Sequence, residues 1–134
     1  MMSVVVIDTS AVLAVVLNEP SKASLIACTQ GATLIAPESL PWEVGNALSA
    51  MFKQKRLTLA EALAALESYH TIPIRLFALP LEHAVMIAHQ ADIYAYDAYV
   101  LACAQIQSAA IVSIDRGLKR AATALGIPFV EEAA

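Results

Sequence analysis

Val4-Val5-Val6-Ile7-Asp8, near the start of the chain, and Ile111-Val112-Ser113-Ile114-Asp115, near its end, share one design: an apolar, β-branched run that stops at an aspartate. Runs that are apolar at consecutive positions suit strands buried on both faces, as in parallel sheets covered by helices. Outward from the first run, residues 10–17 read as an apolar helix. Pro20-Ser21 opens a second short helix with Ser21 as N-cap. Residues 33–36 read as a brief buried strand broken by Pro37, followed by a long helix from about 38 or 41 to 55. Thr58-Leu59-Ala60-Glu61 is a capping box that starts a helix reaching about residue 69. Residues 74–77 form the next strand, and 81–90 and 97–107 are helical. The second quoted run, 109–114, is a strand. Residues 116–125 make a helix ended by Gly126 and Pro128, and 129–130 a last edge strand. Strands alternating with helices predict an α/β domain, a three-layer α/β/α sandwich around a short central parallel sheet.

The 134 residues suit a single domain over 1–134, without repeat, low-complexity tract or linker. Hydrophobic residues make up 59% of the chain, which excludes a disordered protein. Only 15% are charged, against about 25% in ordinary domains, so apolar surface is expected to be covered by a homodimer contact or another protein. Cys28 and Cys103 have no pairing motif and read as reduced core residues of a cytoplasmic protein. Residues 1–8 lack a basic segment and carry an early aspartate, so no signal peptide is expected. The longest charge-free stretch, 98–114, is shorter than the ~20 apolar residues of a membrane span, so no membrane association is expected. Four scattered glycines exclude a P-loop or a dinucleotide fingerprint.

The carboxylates carry the functional information. Asp8 and Asp115 end strands, and ligands of open parallel sheets bind beyond the carboxyl ends of strands. Taken singly, each reads more readily as the N-cap of the helix that follows, and both roles can coexist. Two more acids lie in otherwise apolar helices. Glu43 sits in Pro41-Trp42-Glu43-Val44-Gly45-Asn46, with Asn46 on the same face, and Asp97 in Tyr96-Asp97-Ala98-Tyr99-Val100. Acids beside an apolar face cost free energy unless paired or ligating a cation; first-turn acids favoured by the helix dipole are the reading of equal weight.

Asp8-Thr9-Ser10 after a short strand, Glu43-x-x-Asn46 on a long helix, Tyr96-Asp97-Ala98 opening an Ala-rich helix and Ser113-x-Asp115 at a strand end resemble, in order and spacing, the acidic quartet of PIN-domain ribonucleases. The likeness covers essentially the whole chain and is nearest to the VapC toxins of prokaryotic toxin–antitoxin pairs. Ser113 stands where the family more often has threonine, and Leu118 where some members place a further acid. The resemblance implies a metal-dependent endoribonuclease acting on single-stranded or structured RNA, leaving a 5′-phosphate and a 3′-hydroxyl. It also implies an antitoxin partner that covers the acidic site. Clustered carboxylates and oxygen-only ligands suit Mg²⁺ or Mn²⁺. Asp8 and Asp97 would hold one or two such ions, with help from Glu43 and Asp115, while Thr9, Ser10, Asn46 and Ser113 orient ligands or waters around them. For Ser10 a plain helix-capping role is the alternative.

An acidic protein that binds a polyanion needs local positive charge. Arg116, Lys119 and Arg120 follow Asp115 at helical spacing; Lys53, Lys55 and Arg56 close the Glu43 helix, where basic residues are favoured anyway. His70, His83 and His89 lack zinc-ligand spacing and read as structural or surface residues. Trp42, Tyr94, Tyr96 and Tyr99 flank the acids, with core packing expected ahead of base stacking. An aspartyl-nucleophile phosphatase would need an acid where Ser10 stands, and a receiver domain an acidic pair after the first strand. The remaining alternative is a catalytically idle or RNA-processing module of the same fold that works mainly by binding another protein.

Overall fold

Four parallel strands, β1 (Val4–Ile7), β2 (Thr33–Pro37), β3 (Ile74–Phe77) and β4 (Ala110–Val112), form one sheet in the order β3-β2-β1-β4 in the computed structural model, which describes residues 3–130. Between and after them run α1 (Thr9–Val16), α2 (Lys22–Cys28), α3 (Leu40–Lys53), α4 (Leu59–Thr71), α5 (Leu81–Ala91), α6 (Ala95–Gln107) and α7 (Arg116–Ala124). Val6 is central to the register, opposite Ile35 on one side and Ile111 on the other.

Side-chain alternation divides the strands between two cores. Val5, Ile7, Ala36 and Val112 pack with α1–α4, including Val12, Leu25, Leu40, Val44 and Ala62. Val6, Ile35 and Ile111 pack with α5–α7, including Ile87, Leu101, Cys103, Leu118 and Ala122. Both faces of β1 and β4 are therefore buried, which is why their sequences are continuously apolar rather than alternating; the edge strand β3 is exposed at Arg75 and Leu76. The result is the expected three-layer α/β/α sandwich.

The chain advances from β1 through β2 to β3 with α1–α4 on one face, then crosses back to β4 with α5 and α6 on the other. Right-handed crossovers require this, because reversing the direction of travel moves the connecting helices to the opposite face. β1 and β4 lie side by side, yet the chain leaving β1 turns into α1 on one face and the chain leaving β4 turns into α7 on the other. That divergence opens a crevice at the carboxyl ends of these two strands.

Several boundaries differ from the sequence reading. β4 has three residues rather than the six of 109–114, because Ser113 and Ile114 leave the ladder to bond elsewhere. Pro37 closes β2 from inside, paired with Phe77, since a proline can end a ladder. The long helix starts at Leu40, with Pro41 in its first turn, where its missing N–H costs nothing. Ser21 makes no side-chain cap bond. The expected edge strand 129–130 reduces to one bridge, Ile111 with Phe129, flanked by hydrogen bonds from Ile111 N–H to Pro128 and from Val130 N–H to Ile111. Cys103 is buried but Cys28 is only half-buried, and neither forms a disulfide. Among the described residues no helix is long and apolar enough to cross a membrane.

Candidate active site

The four acids stand at the starts of four helices. Asp8 is the N-cap of α1 and Asp115 that of α7; Glu43 and Asp97 lie in the first turns of α3 and α6. For Asp8 and Asp115 the capping position is also the candidate site position. Asp8, extended at φ −97° and ψ 172°, accepts the Ala11 N–H at 3.0 Å, and Asp115 accepts the Leu118 N–H at 3.1 Å. The partial positive charge of each helix start opposes the mutual repulsion of the carboxylates.

Asp8 is the buried member, 7% exposed. Two serine hydroxyls orient it. Ser113 donates to Oδ2 at 2.7 Å and accepts the Asp115 N–H at 2.9 Å; Ser10 lies 2.9 and 3.0 Å from the two carboxyl oxygens and accepts the Ile114 N–H at 3.3 Å. Each hydroxyl has one proton, so both relays run one way, from β4–α7 backbone amides through serine to Asp8. The second relay is why Ser10 is not the helix cap: its hydroxyl is committed to Asp8, which is. The hydrogen bonds stabilise the ionised form, but desolvation by burial outweighs them, with Asp115 adding repulsion, and the carboxyl is pushed up to about 6.

Glu43 is half-buried and gripped from both sides, by Thr9 Oγ1 on Oε1 at 3.2 Å and by Ser39 Oγ on Oε2 at 2.7 Å. Burial raises its pKa, and the neighbouring Asp8 and Asp97 raise it further. Asp97 is raised by burial and by Asp115, and no protein donor among the described residues bonds its carboxylate. The repulsions close a ring: Asp8 with Asp115, Asp115 with Asp97, Asp97 with Glu43, Glu43 with Asp8. No lysine, arginine or histidine acts on any of the three shifted carboxyls.

An uncompensated ring of hard oxygen donors fits a divalent cation in charge and donor chemistry. Among the described residues no three acidic, histidine or cysteine side chains converge into a closed metal cage.

The remaining candidates separate. Arg116 and Lys119 line a groove of about 330 Å³ together with Ser113, Asp115 and Phe129. Arg120 lies one turn on, near enough that a Cβ on Gly117 would meet its guanidinium at 3.7 Å and Asp115 Oδ1 at 3.2 Å. Lys53, Lys55 and Arg56 stand at the far end of α3, about 15 Å along the helix from Glu43. Asn46 is exposed, and no hydrogen bond joins its side chain to the acids. His83 bonds Gln105 at 2.9 Å, and His70 and His89 are exposed. Core packing holds for Tyr99 alone among the four flanking aromatics: Trp42 is 74% exposed, Tyr94 89%, and Tyr96 is exposed while meeting the Tyr99 ring edge-on. Sequence reasoning missed Ser39. Its signal was a serine four residues before Glu43 at a helix start, where it reads as a cap, but the hydroxyl makes no cap bond and turns to Glu43.

An α/β/α sandwich with carboxylates gathered at the β1–β4 crevice defines a class, and the chain belongs to it: it is a member of the PIN domain family, which matches residues 5–124, from β1 through α7. Its fold is similar to the crystal structure of PAE2754 from Pyrobaculum aerophilum, with a TM-score of 0.69 and 21% identity over 89% of this chain and 79% of that one. It is also similar to VapC20 of Mycobacterium tuberculosis, described as a Sarcin-Ricin loop cleaving toxin, with a TM-score of 0.65 and 12% identity over 87% of this chain and 94% of that one. No curated protein matches the chain in sequence.

Proposed function

We propose that this protein is a metal-dependent endoribonuclease that hydrolyses phosphodiester bonds of single-stranded or structured RNA, and that it serves as the toxin of a toxin–antitoxin pair in the cytoplasm. The carrying observation is the ring of four carboxylates at the crevice of the parallel sheet, in which Asp8, Glu43 and Asp97 are raised by burial and by neighbouring acids and have no cation acting on them. Membership of the PIN domain family and the fold shared with a Sarcin-Ricin loop cleaving toxin support the same reading.

In this reading Asp97, unbonded and half-exposed, and Asp8, aimed by Ser10 and Ser113, hold Mg²⁺ or Mn²⁺, with Glu43 and Asp115 completing the negative pocket. When bound, such an ion neutralises charge on the phosphodiester and makes a water nucleophilic at neutral pH. Thr9 and Ser39 fix Glu43 so that it cannot swing away from the crevice. Asn46, exposed one turn beyond Glu43, is free to hold a water or a ribose hydroxyl. Arg116 and Lys119, with Arg120 behind them, hold the strand by its phosphates beside Asp115. Water adds to phosphorus and the 3′ oxygen leaves, giving a 5′-phosphate and a 3′-hydroxyl.

A second reading has its own observation. Leu81, Val85 and Met86 are exposed along one face of α5, and exposed apolar patches mark protein contacts. An antitoxin or a second copy of this chain would cover them. Binding and catalysis are compatible, so the test must separate them. The purified protein, freed of any partner, is incubated with a mixed RNA pool plus Mg²⁺ or Mn²⁺, beside EDTA and Asp8→Asn controls. Discrete cuts that vanish in both controls are expected. A folded, partner-free sample that cuts nothing overturns the nuclease reading in favour of a binding module.

A further inference from the structure

Beside the acids lies a second pocket that the reaction does not use. It measures about 460 Å³ and is walled by Glu38, Ser39, Trp42, Leu79, Leu81 and Tyr99. Its wall meets the crevice at Ser39, which lines the pocket while donating to Glu43. We propose that this pocket holds an unpaired nucleobase of the RNA strand next to the scissile phosphate, stacked on Trp42, with Glu38 reading the base edge. The proposal rests on the nuclease reading and adds to it the residues that choose the sequence.

Three observations favour a base over other occupants. First, the wall carries a carboxylate and no lysine or arginine, so it repels phosphate; the phosphate-binding groove is the separate one lined by Arg116 and Lys119. A strand crossing the crevice therefore places backbone on the α7 side and base on the α3 side. Second, Trp42 lines the pocket while 74% exposed, leaving indole surface available for stacking, which every base can use. Third, the pocket is mostly apolar with few polar groups, the composition of a small-ligand site. Glu38 has a free carboxylate that accepts but cannot donate. It prefers bases with N–H donors on the Watson–Crick edge, and guanine, with two adjacent donors, matches both carboxylate oxygens.

Trp42 is the only tryptophan in the chain, so its emission reports the pocket directly. Short single-stranded RNA is titrated against the whole protein in EDTA, beside the same oligomers with abasic positions and an amphipathic peptide. Saturable change in emission with RNA, lost when the base is removed, is expected. Cleavage kinetics in Mg²⁺ then compare Trp42→Ala, Trp42→Phe and Glu38→Gln. Trp42→Ala should raise KM roughly five- to 100-fold, the value of one stacked base, with a much smaller change in kcat. Trp42→Phe should recover most of that loss, and Glu38→Gln should change which base flanks the cut. RNA cleavage by Trp42→Ala with unchanged KM overturns the base pocket and leaves the nuclease reading standing. Emission that answers to the peptide but not to RNA overturns it in favour of a protein-docking face.

Discussion

Ser113 shows how one hydroxyl serves both fold and site. It accepts from the Asp115 amide and donates to Asp8, so it links the cap of α7 to the buried carboxylate of α1. Ser113→Ala removes the strongest of the bonds that hold the Asp8 carboxyl down, so its pKa rises further. A bond to a charged group is worth about 1.5–3 kcal/mol, and because Ser113 is only half-buried, water replaces part of it. The expected cost is ~1–2 kcal/mol of stability at pH 7.5, and a ~10–100-fold loss of metal affinity or cleavage. Ser113→Thr keeps the hydroxyl and should retain both. Denaturant unfolding and Mg²⁺ titration check the pair; equal effects of alanine and threonine would remove the hydroxyl from the argument. The sequence disclosed the four acids because a charge is conspicuous in apolar surroundings. The hydroxyls were less legible. Ser10 and Ser39 occupy positions where serine is usual as a cap, and only the fold shows their protons committed to carboxylates two and four residues away, as those of Thr9 and Ser113 are across 34 and 105 residues of chain.

Helix α7 presents two faces with separate tasks. Leu118 and Ala122 are buried against β4, while Arg116, Lys119 and Arg120 are exposed. Sequence spacing made both basic clusters candidates for phosphate; the geometry separates them, since only the α7 group lies beside Asp115 and the α3 group is a helix-length away. Removing two phosphate contacts from a single-stranded complex should flatten the slope of log affinity against log salt by about 1.4. Arg116→Ala with Lys119→Ala should show this change in RNA affinity measured in EDTA across a KCl series, and Lys53→Ala with Arg56→Ala should not. The reverse result would move the strand to the other end of α3. Strand–acid punctuation was legible because β-branched runs end abruptly in aspartate. The length of β4 was not. Ile111-Val112-Ser113-Ile114 keeps its apolar pattern to the end, but Ile114 is exposed, its amide drawn to Ser10 instead of to the ladder.

Gathering four carboxylates at the ends of one sheet sets function against stability in the whole domain. Layer order and crevice follow from alternation and handedness, so the fold class could be read early. The meeting of Glu43 and Asp97 with Asp8 was legible only through the family resemblance, because no local pattern records proximity between distant helix starts. Its energetic mark is measurable. Asp8 titrates near 3.8 unfolded and about 6 folded, so between those values the native state binds more protons and stability falls as pH rises. The full cost above pH 6 is ~3 kcal/mol, of which about 1.4 kcal/mol is incurred between pH 5 and 7.5. Glu43 and Asp97 are raised as well and act with the same sign. Glu61, held low by its capping bonds to Thr58, acts with the opposite sign and only at the acid end of this window. The metal-free protein should therefore melt ~5 °C lower at pH 7.5 than at pH 5, taking about 3–5 °C per kcal/mol for a domain of this size. Asp8→Asn removes the Asp8 share, so it should melt higher than the parent at pH 7.5 while losing cleavage. Saturating Mg²⁺ should contribute ~3 kcal/mol at 100 times its Kd at pH 7.5, and less at pH 5 where protons compete for the same oxygens, reversing the slope. Calorimetry at both pH values with EDTA or Mg²⁺ reads all of these changes. A metal-free protein that melts higher at pH 7.5, or an Asp8→Asn variant with the parent's slope, would show that Asp8 does not carry this cost.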